Sequence, residues 1–186
     1  MLADQTQIEA LKSRESYKDS YLRHRDPIAR DRLLWQAHTF RHIAHLLPGE
    51  TILEVGAGSG MFARALSEMS RGRNPITALY FDPAIVTERY EDVSVEWIDG
   101  LLDDGTLDGR RFDYVVAQNI LDPRYAPFLL KSIFDRLGDG GQVVLYESNP
   151  WNVYHIAKNF LKRAAGRPVL EYFLAQPELY QLISEL

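Results

Sequence analysis

The run Ile52-Leu53-Glu54-Val55-Gly56-Ala57-Gly58-Ser59-Gly60-Met61-Phe62 constrains this chain more than any other part of it. An apolar strand over 51–55 runs into glycines at three alternate positions, and a helix follows from about Gly60 to Met69. Alternating glycines remove the Cβ atoms where the chain must turn, and they let another group press against the backbone. The helix that opens on them leaves unpaired N–H groups at its start. A strand, a glycine turn and a helix are what a nucleotide-like ligand needs at the carboxyl end of a parallel sheet, where ligands of open α/β sheets bind.

Helix and strand patterns alternate along the rest of the chain. A helix over 28–47 places Leu33, Ala37, Phe40, Ala44 and Leu47 on one face before Pro48-Gly49 stops it. Further strands are predicted over 76–81, 93–98, 112–117 and 142–146. Pro127 opens a helix with Leu130, Ile133, Phe134 and Leu137 inward, and Gly138-Asp139-Gly140-Gly141 reads as a tight turn into the fifth strand. Strands apolar on both faces, such as Tyr114–Ala117 and Val143–Leu145, are those that helices cover on both sides. Helices follow over about 153–165 and from Pro177 to Leu186, the second carrying Leu179, Leu182, Ile183 and Leu186 in register.

Glu54, Asp82, Asp99 and Asn119 stand at the carboxyl ends of the first four strands. Carboxylates there accept hydrogen bonds from ribose hydroxyls or amino groups. One acid at such a place is accounted for by capping the next helix, as Asp82-Pro83 is placed to do; three in consecutive strands behind a glycine turn point to a bound nucleotide-like cofactor. A dinucleotide fingerprint requires Gly or Ala at the sixth position from Gly56, where Met61 stands.

The remaining pattern, E-x-G-x-G-x-G over Glu54 to Gly60, resembles motif one of the class I S-adenosylmethionine-dependent methyltransferases. The resemblance extends from about Leu33 to Leu186, through the Leu137–Leu145 turn and strand. It includes Asn149-Pro150-Trp151-Asn152, similar to a sequence found in a subset of small-molecule members. It implies an α/β fold: a doubly wound parallel sheet of strand order 3-2-1-4-5 with an N-terminal helical cap. It also implies S-adenosylmethionine as cofactor. Gly56, Ala57, Gly58, Gly60 and Glu54 would lie at its methionine part, Asp82 and Pro83 at the ribose, Asp99 and Gly100 at the adenine, and Asn119 near the methyl donor. The implied reaction is methyl transfer to an oxygen or carbon of a small molecule. The alternatives are a non-catalytic cofactor-binding subunit needing a partner chain and a nicotinamide-dependent oxidoreductase. The family's sixth and seventh strands find no counterpart in the sequence. The domain is therefore expected to be incomplete at its C-terminus, covered by a partner chain, or naturally abbreviated. In each case the fifth strand is expected to be an apolar edge open to a second copy or a partner chain.

Two residues are candidates for a general base, Asp122 and His155. Asp122-Pro123 is also an ordinary turn signal and His155 an ordinary helix residue. Residues 1–30 are polar and weakly periodic. They read either as an exposed helical arm or as a lid in which Tyr17 and Tyr21 close over a ligand, with 31–186 as the cofactor-binding domain. His38, His42 and His45 share a helix face without a supporting carboxylate or cysteine, so no metal site is expected. Lys158, Lys162, Arg163 and Arg167, near Phe160, Tyr172 and Phe173, form either a solvated helix face or a contact for an anionic substrate or membrane surface.

The absence of cysteine excludes disulfides and thiolate chemistry and fits a cytoplasmic protein. A net charge of −5 and the lack of an N-P-P-Y-type motif after the fourth strand argue against a nucleic-acid substrate. No stretch is apolar for long enough to insert stably in a membrane.

Overall fold

The computed structural model describes residues 5–23, 27–84, 94–102, 104–149, 151–166 and 174–186. Its elements are α1 (Gln5–Arg23), α2 (Pro27–Ile43), β1 (Ile52–Val55), α3 (Met61–Ser70), β2 (Ile76–Tyr80), β3 (Val95–Asp99), α4 (Asp104–Leu107), β4 (Phe112–Gln118), α5 (Ala126–Phe134), β5 (Leu137–Tyr146), α6 (Val153–Ala164) and α7 (Gln176–Ser184).

The five strands form one parallel sheet in the order β3-β2-β1-β4-β5, as the sequence predicts. Central β1 pairs on both sides, Leu53 lying opposite Thr77 of β2 and Val115 of β4. Alternation along β1 sends its side chains into two cores. Leu53 and Val55 join Leu79, Val115 and Ala117 against Leu129, Leu130 and Ile133 of α5, with Leu179 and Leu182 of α7 packed beside them. Ile52 joins Ile76, Ala78, Tyr114 and Val116 against Phe40 of α2 and Phe62 and Leu66 of α3. The Phe40 ring meets those of Phe62 and Tyr114 edge-on, and the Tyr114 hydroxyl donates to the carbonyl of Ala44 at 2.7 Å, fixing the end of α2 to the sheet.

Three local expectations change. Helix α2 ends at Ile43 rather than near Leu47, because His45 adopts a left-handed conformation (φ 50°); Leu47 is consequently exposed rather than part of the buried face. The glycine turn expected before β5 lies within the strand. Phe112 pairs with Leu137 and Tyr114 with Gln142, so two steps along β4 face five along β5, and the glycines form a bulge. The N-terminal arm is no solvated appendage: Leu11 of α1 is 1% exposed and joins the core of β1 and β4. The start of the predicted third strand at Val93 and the helix expected after Pro83 fall largely outside the described residues.

β5 closes one side of the sheet. Among the described residues no strand pairs with its outer edge, and Val143, Val144 and Leu145 are half-buried.

Candidate functional site

Parallel register brings Glu54, Asp82, Asp99 and Asn119 to the same edge of the sheet, as strand-end positions require. The glycine turn begins directly after β1. Gly56, Gly58 and Gly60 all have positive φ, at 66°, 56° and 72°. Ala57 anchors the turn, its N–H donating to Leu79 O at 2.8 Å and its carbonyl accepting from Gly60 N at 2.9 Å. A Cβ on Gly60 would lie 1.8 Å from the Trp97 ring, and one on Gly56 would lie 2.8 Å from Ile120. The groups that press on these two glycines therefore belong to the chain itself, and the spacing of the glycines serves packing as well as any ligand.

Glu54 is 1% exposed. Its Oε2 accepts the N–H of Ala63 in the first turn of α3 at 3.1 Å, while Oε1 has no hydrogen-bond partner. Burial raises its carboxyl to about 7, against the attraction of Lys18. The indole N–H of Trp97 is likewise buried without a partner. A buried acceptor and a buried donor beside one turn are costly unless a ligand completes them. By this measure the residues fit the implied cofactor.

Asp82 is half-buried, and its Oδ1 accepts the N–H of Ala84 at 3.0 Å, a turn contact two residues on; the helix it was expected to cap lies outside the described residues. Pro83 and Asp99 are exposed, and Gly100 donates to Tyr80 O at 3.1 Å. Asn119 turns the chain after β4 in a left-handed conformation (φ 49°), and its Oδ1 accepts from Ser148 Oγ at 2.7 Å.

The largest contribution the sequence reading missed comes from α1. Glu15 is fully buried. Its Oε1 accepts the N–H of Gly58 at 3.0 Å, and its Oε2 accepts those of Phe81 at 2.7 Å and Asp82 at 3.0 Å. Desolvation raises its carboxyl above the usual range, in spite of those bonds and of Lys18. Lys18 donates to Gly56 O at 2.8 Å, and Arg14 donates through Nε to Asn119 O at 2.9 Å. One turn and a half of helix thus ties the glycine turn, the end of β2 and the end of β4 together. A signal was present: Leu11, Arg14, Glu15 and Lys18 fall at i, i+3, i+4 and i+7, one face of a helix. The side chains of Tyr17 and Tyr21 lie outside the described residues.

Glu147, at the end of β5, was also missed. Its Oε1 accepts the N–H groups of Ile120 and Leu121 at 2.9 and 3.0 Å, and desolvation raises its carboxyl to about 7 although the residue as a whole is only half-buried. Asp122 is 1% exposed. Burial acts to raise its carboxyl, but Arg124 outweighs that and holds it below the ordinary value, with bonds of 2.8 and 2.6 Å to the two oxygens. Its Oδ1 also accepts Arg124 N, so Asp122 shapes the turn into α5. The side chain of His155 lies outside the described residues.

Among the described residues, no group of three His, Asp or Glu side chains has the arrangement of a metal site; the His38 and His42 rings pack against each other, 4.6 Å between centroids. A wide groove of about 960 Å³ lies at the opposite, amino-terminal edge of the sheet, lined by Ser67, Arg71, Asn74, Ser94, Glu96 and Arg110. None of the strand-end residues reaches it.

The fold is that of solved methyltransferases. A putative methyltransferase from an antibiotic biosynthesis pathway of Anabaena variabilis superposes with a TM-score of 0.59 at 22% identity, over 80% of this chain and 59% of that one. A putative O-methyltransferase from Nostoc punctiforme gives 0.63 at 18%, over 90% and 53%. CalO1, a methyltransferase in calicheamicin biosynthesis solved with S-adenosylhomocysteine bound, gives 0.64 at 15%, over 88% and 49%. This chain spans between about half and three-fifths of the length of those proteins. No protein-family profile matches the sequence, and no curated protein matches it.

Proposed function

We propose that this chain binds S-adenosylmethionine at the carboxyl edge of its sheet and directs methyl transfer to an oxygen or carbon of a small molecule. The observation that carries this reading is the unpartnered Oε1 of buried Glu54, behind a glycine turn and in line with Asp82 and Asp99. Glu54, with the backbone of Gly56 to Gly60, would hold the methionine part. Asp82 with Pro83 would hold the ribose, Asp99 with Gly100 the adenine, and Asn119 the region of the methyl donor.

When bound, the cofactor supplies an electrophilic methyl group on a sulfonium sulfur. The protein's task is then chiefly to place donor and acceptor in line and to exclude water. A positive ligand beside Glu54 favours its carboxylate form, opposing the desolvation that raises it to about 7. Where the acceptor carries a proton, Glu147, poised at about 7, is better matched to remove it near neutrality than Asp122, which Arg124 holds ionised. His155 remains a further candidate.

The binding-subunit reading draws support from the outer edge of β5, which no strand pairs with among the described residues. A transfer assay following methyl label from S-adenosylmethionine into a panel of phenols, carboxylic acids and carbon acids separates the two. Labelled product made by the isolated chain supports the enzyme; tight cofactor binding without turnover until a partner chain is added supports the subunit.

A further inference from the structure

Six buried side-chain polar atoms have no hydrogen-bond partner among the described residues. Four of them flank the glycine turn: Oε1 of Glu54, Oγ of Ser59, Nε1 of Trp97 and Nε2 of Gln118. Gln118 is the last residue of β4 and is 1% exposed. A buried amide without a partner forgoes hydrogen bonds that water would supply, which is costly for the free protein.

The register fixes where this amide stands. Alternation along β4 sends Val115 and Ala117 into the core shared with α5, and Val116 to the face covered by α3. Gln118 continues the Val116 side. Glu54 lies opposite Val116 on that same face, where it accepts the N–H of Ala63 in the first turn of α3. Val55 pairs with Ala117, so Gln118 stands one step further along β4, level with the start of the turn at Gly56. On its other side Gln118 lies opposite Tyr146 of β5, whose hydroxyl donates to the carbonyl of Gln36 at 3.1 Å.

An ionised Glu54 only accepts, and the Nε2 of Gln118 only donates. A ligand that satisfies both presents a donor and an acceptor close together. Asp82 and Asp99 would take the ribose and adenine toward β2 and β3, on the far side of β1 from β4. The part of S-adenosylmethionine left for the β1–β4 side is its amino-acid end, which carries an ammonium and a carboxylate on one carbon. The ammonium would meet Glu54, and the carboxylate would accept from the Gln118 amide in a charge-assisted hydrogen bond.

We propose that Gln118 binds the carboxylate of the cofactor's amino-acid end, and that with Glu54 it selects ligands ending in a zwitterionic α-amino acid. The proposal rests on the reading of this edge as an S-adenosylmethionine site.

Two measurements on the full chain test it, and the first needs no cofactor. Gln118→Met keeps the length of the side chain and removes the amide. The unliganded variant is expected to unfold at a higher urea midpoint than the wild type, as a group held for a ligand at the expense of the fold requires. An amide that serves the fold itself, through a buried water for instance, makes the variant less stable. An unchanged or lower midpoint overturns the proposal.

The second measurement is calorimetry with S-adenosylhomocysteine and with methylthioadenosine, which retains the nucleoside and lacks the amino acid. Gln118→Met is expected to lose about tenfold in affinity for S-adenosylhomocysteine and to bind methylthioadenosine as the wild type does. Unchanged affinity for S-adenosylhomocysteine overturns the proposal and leaves the cofactor reading standing. Equal losses for both ligands make Gln118 a structural support of the site and overturn the proposal as well. A wild type that does not bind S-adenosylhomocysteine removes the cofactor reading itself, and the proposal with it.

Discussion

Glu15 accepts a hydrogen bond from the backbone N–H of Gly58 at 3.0 Å, across 43 positions of sequence. Through its other oxygen it also takes the N–H groups of Phe81 and Asp82, so one carboxylate from α1 joins the glycine turn to the end of β2. Removing it leaves two buried donors, the N–H groups of Gly58 and Phe81, and the half-buried N–H of Asp82 without an acceptor. Glu15→Ala is expected to lower stability by about 2–4 kcal/mol in urea unfolding, with Glu15→Gln, which retains an acceptor oxygen, losing less. Equal midpoints for wild type and Glu15→Ala would show that these bonds contribute nothing net.

Lys18 occupies the carbonyl of Gly56 at 2.8 Å, on the turn where the methionine part of the cofactor is placed. A ligand that needs this carbonyl must displace the ammonium. Lys18→Ala is therefore expected to tighten S-adenosylhomocysteine binding about fivefold, a net gain of order 1 kcal/mol. Weaker binding in the variant would instead make Lys18 a ligand contact.

Gly60 combines a φ of 72° with a Trp97 ring atom 1.8 Å from where its Cβ would stand. Gly60→Ala is expected to cost about 2–4 kcal/mol from backbone strain and overpacking together. Adding Trp97→Ala removes the collision but not the strain, so the double variant should recover part of what is lost relative to Trp97→Ala alone. Strict additivity would mean that the ring does not press on this glycine.

The carboxyl of Glu54 has an ordinary value of 4.5 and lies at about 7 in the folded protein. The folded state holds its proton more tightly than the unfolded chain does. This contribution to stability is complete below about 4.5 and is lost as the pH rises to about 7, amounting to about 3 kcal/mol at most. Glu147 acts over the same range and in the same direction. Unfolding free energy should therefore fall with rising pH in this window, and Glu54→Gln should flatten the slope. A slope unaffected by the variant would place the titration elsewhere.

The fold was readable in the sequence because its determinants are local. Apolar runs such as Ile52–Val55 and Tyr114–Ala117 announce strands covered on both faces, and Gly56 to Gly60 announces the turn between strand and helix. Parallel register then carries Glu54, Asp82, Asp99 and Asn119 to one edge without further information. Glu15, Arg14 and Lys18 were not readable in the same way. Their partners lie 43, 66, 67, 105 and 38 positions away, and nothing in a polar, weakly periodic segment says which turn it will meet. In α6 the period separates an apolar from a basic side, but only packing reveals that the apolar side faces out. The bulge in β5 escaped for a related reason: glycines over 138–141 read equally well as a turn before a strand or as an interruption within one.

What the sheet edge beyond β1 binds is tested most directly by calorimetry on the protein. S-Adenosylhomocysteine is expected to bind the wild type and to lose at least about tenfold in affinity in Asp82→Ala, while nicotinamide dinucleotides give no heat of binding. Binding of a nicotinamide dinucleotide without S-adenosylhomocysteine would contradict the account, and S-adenosylhomocysteine affinity unchanged in Asp82→Ala would remove Asp82 from the ribose.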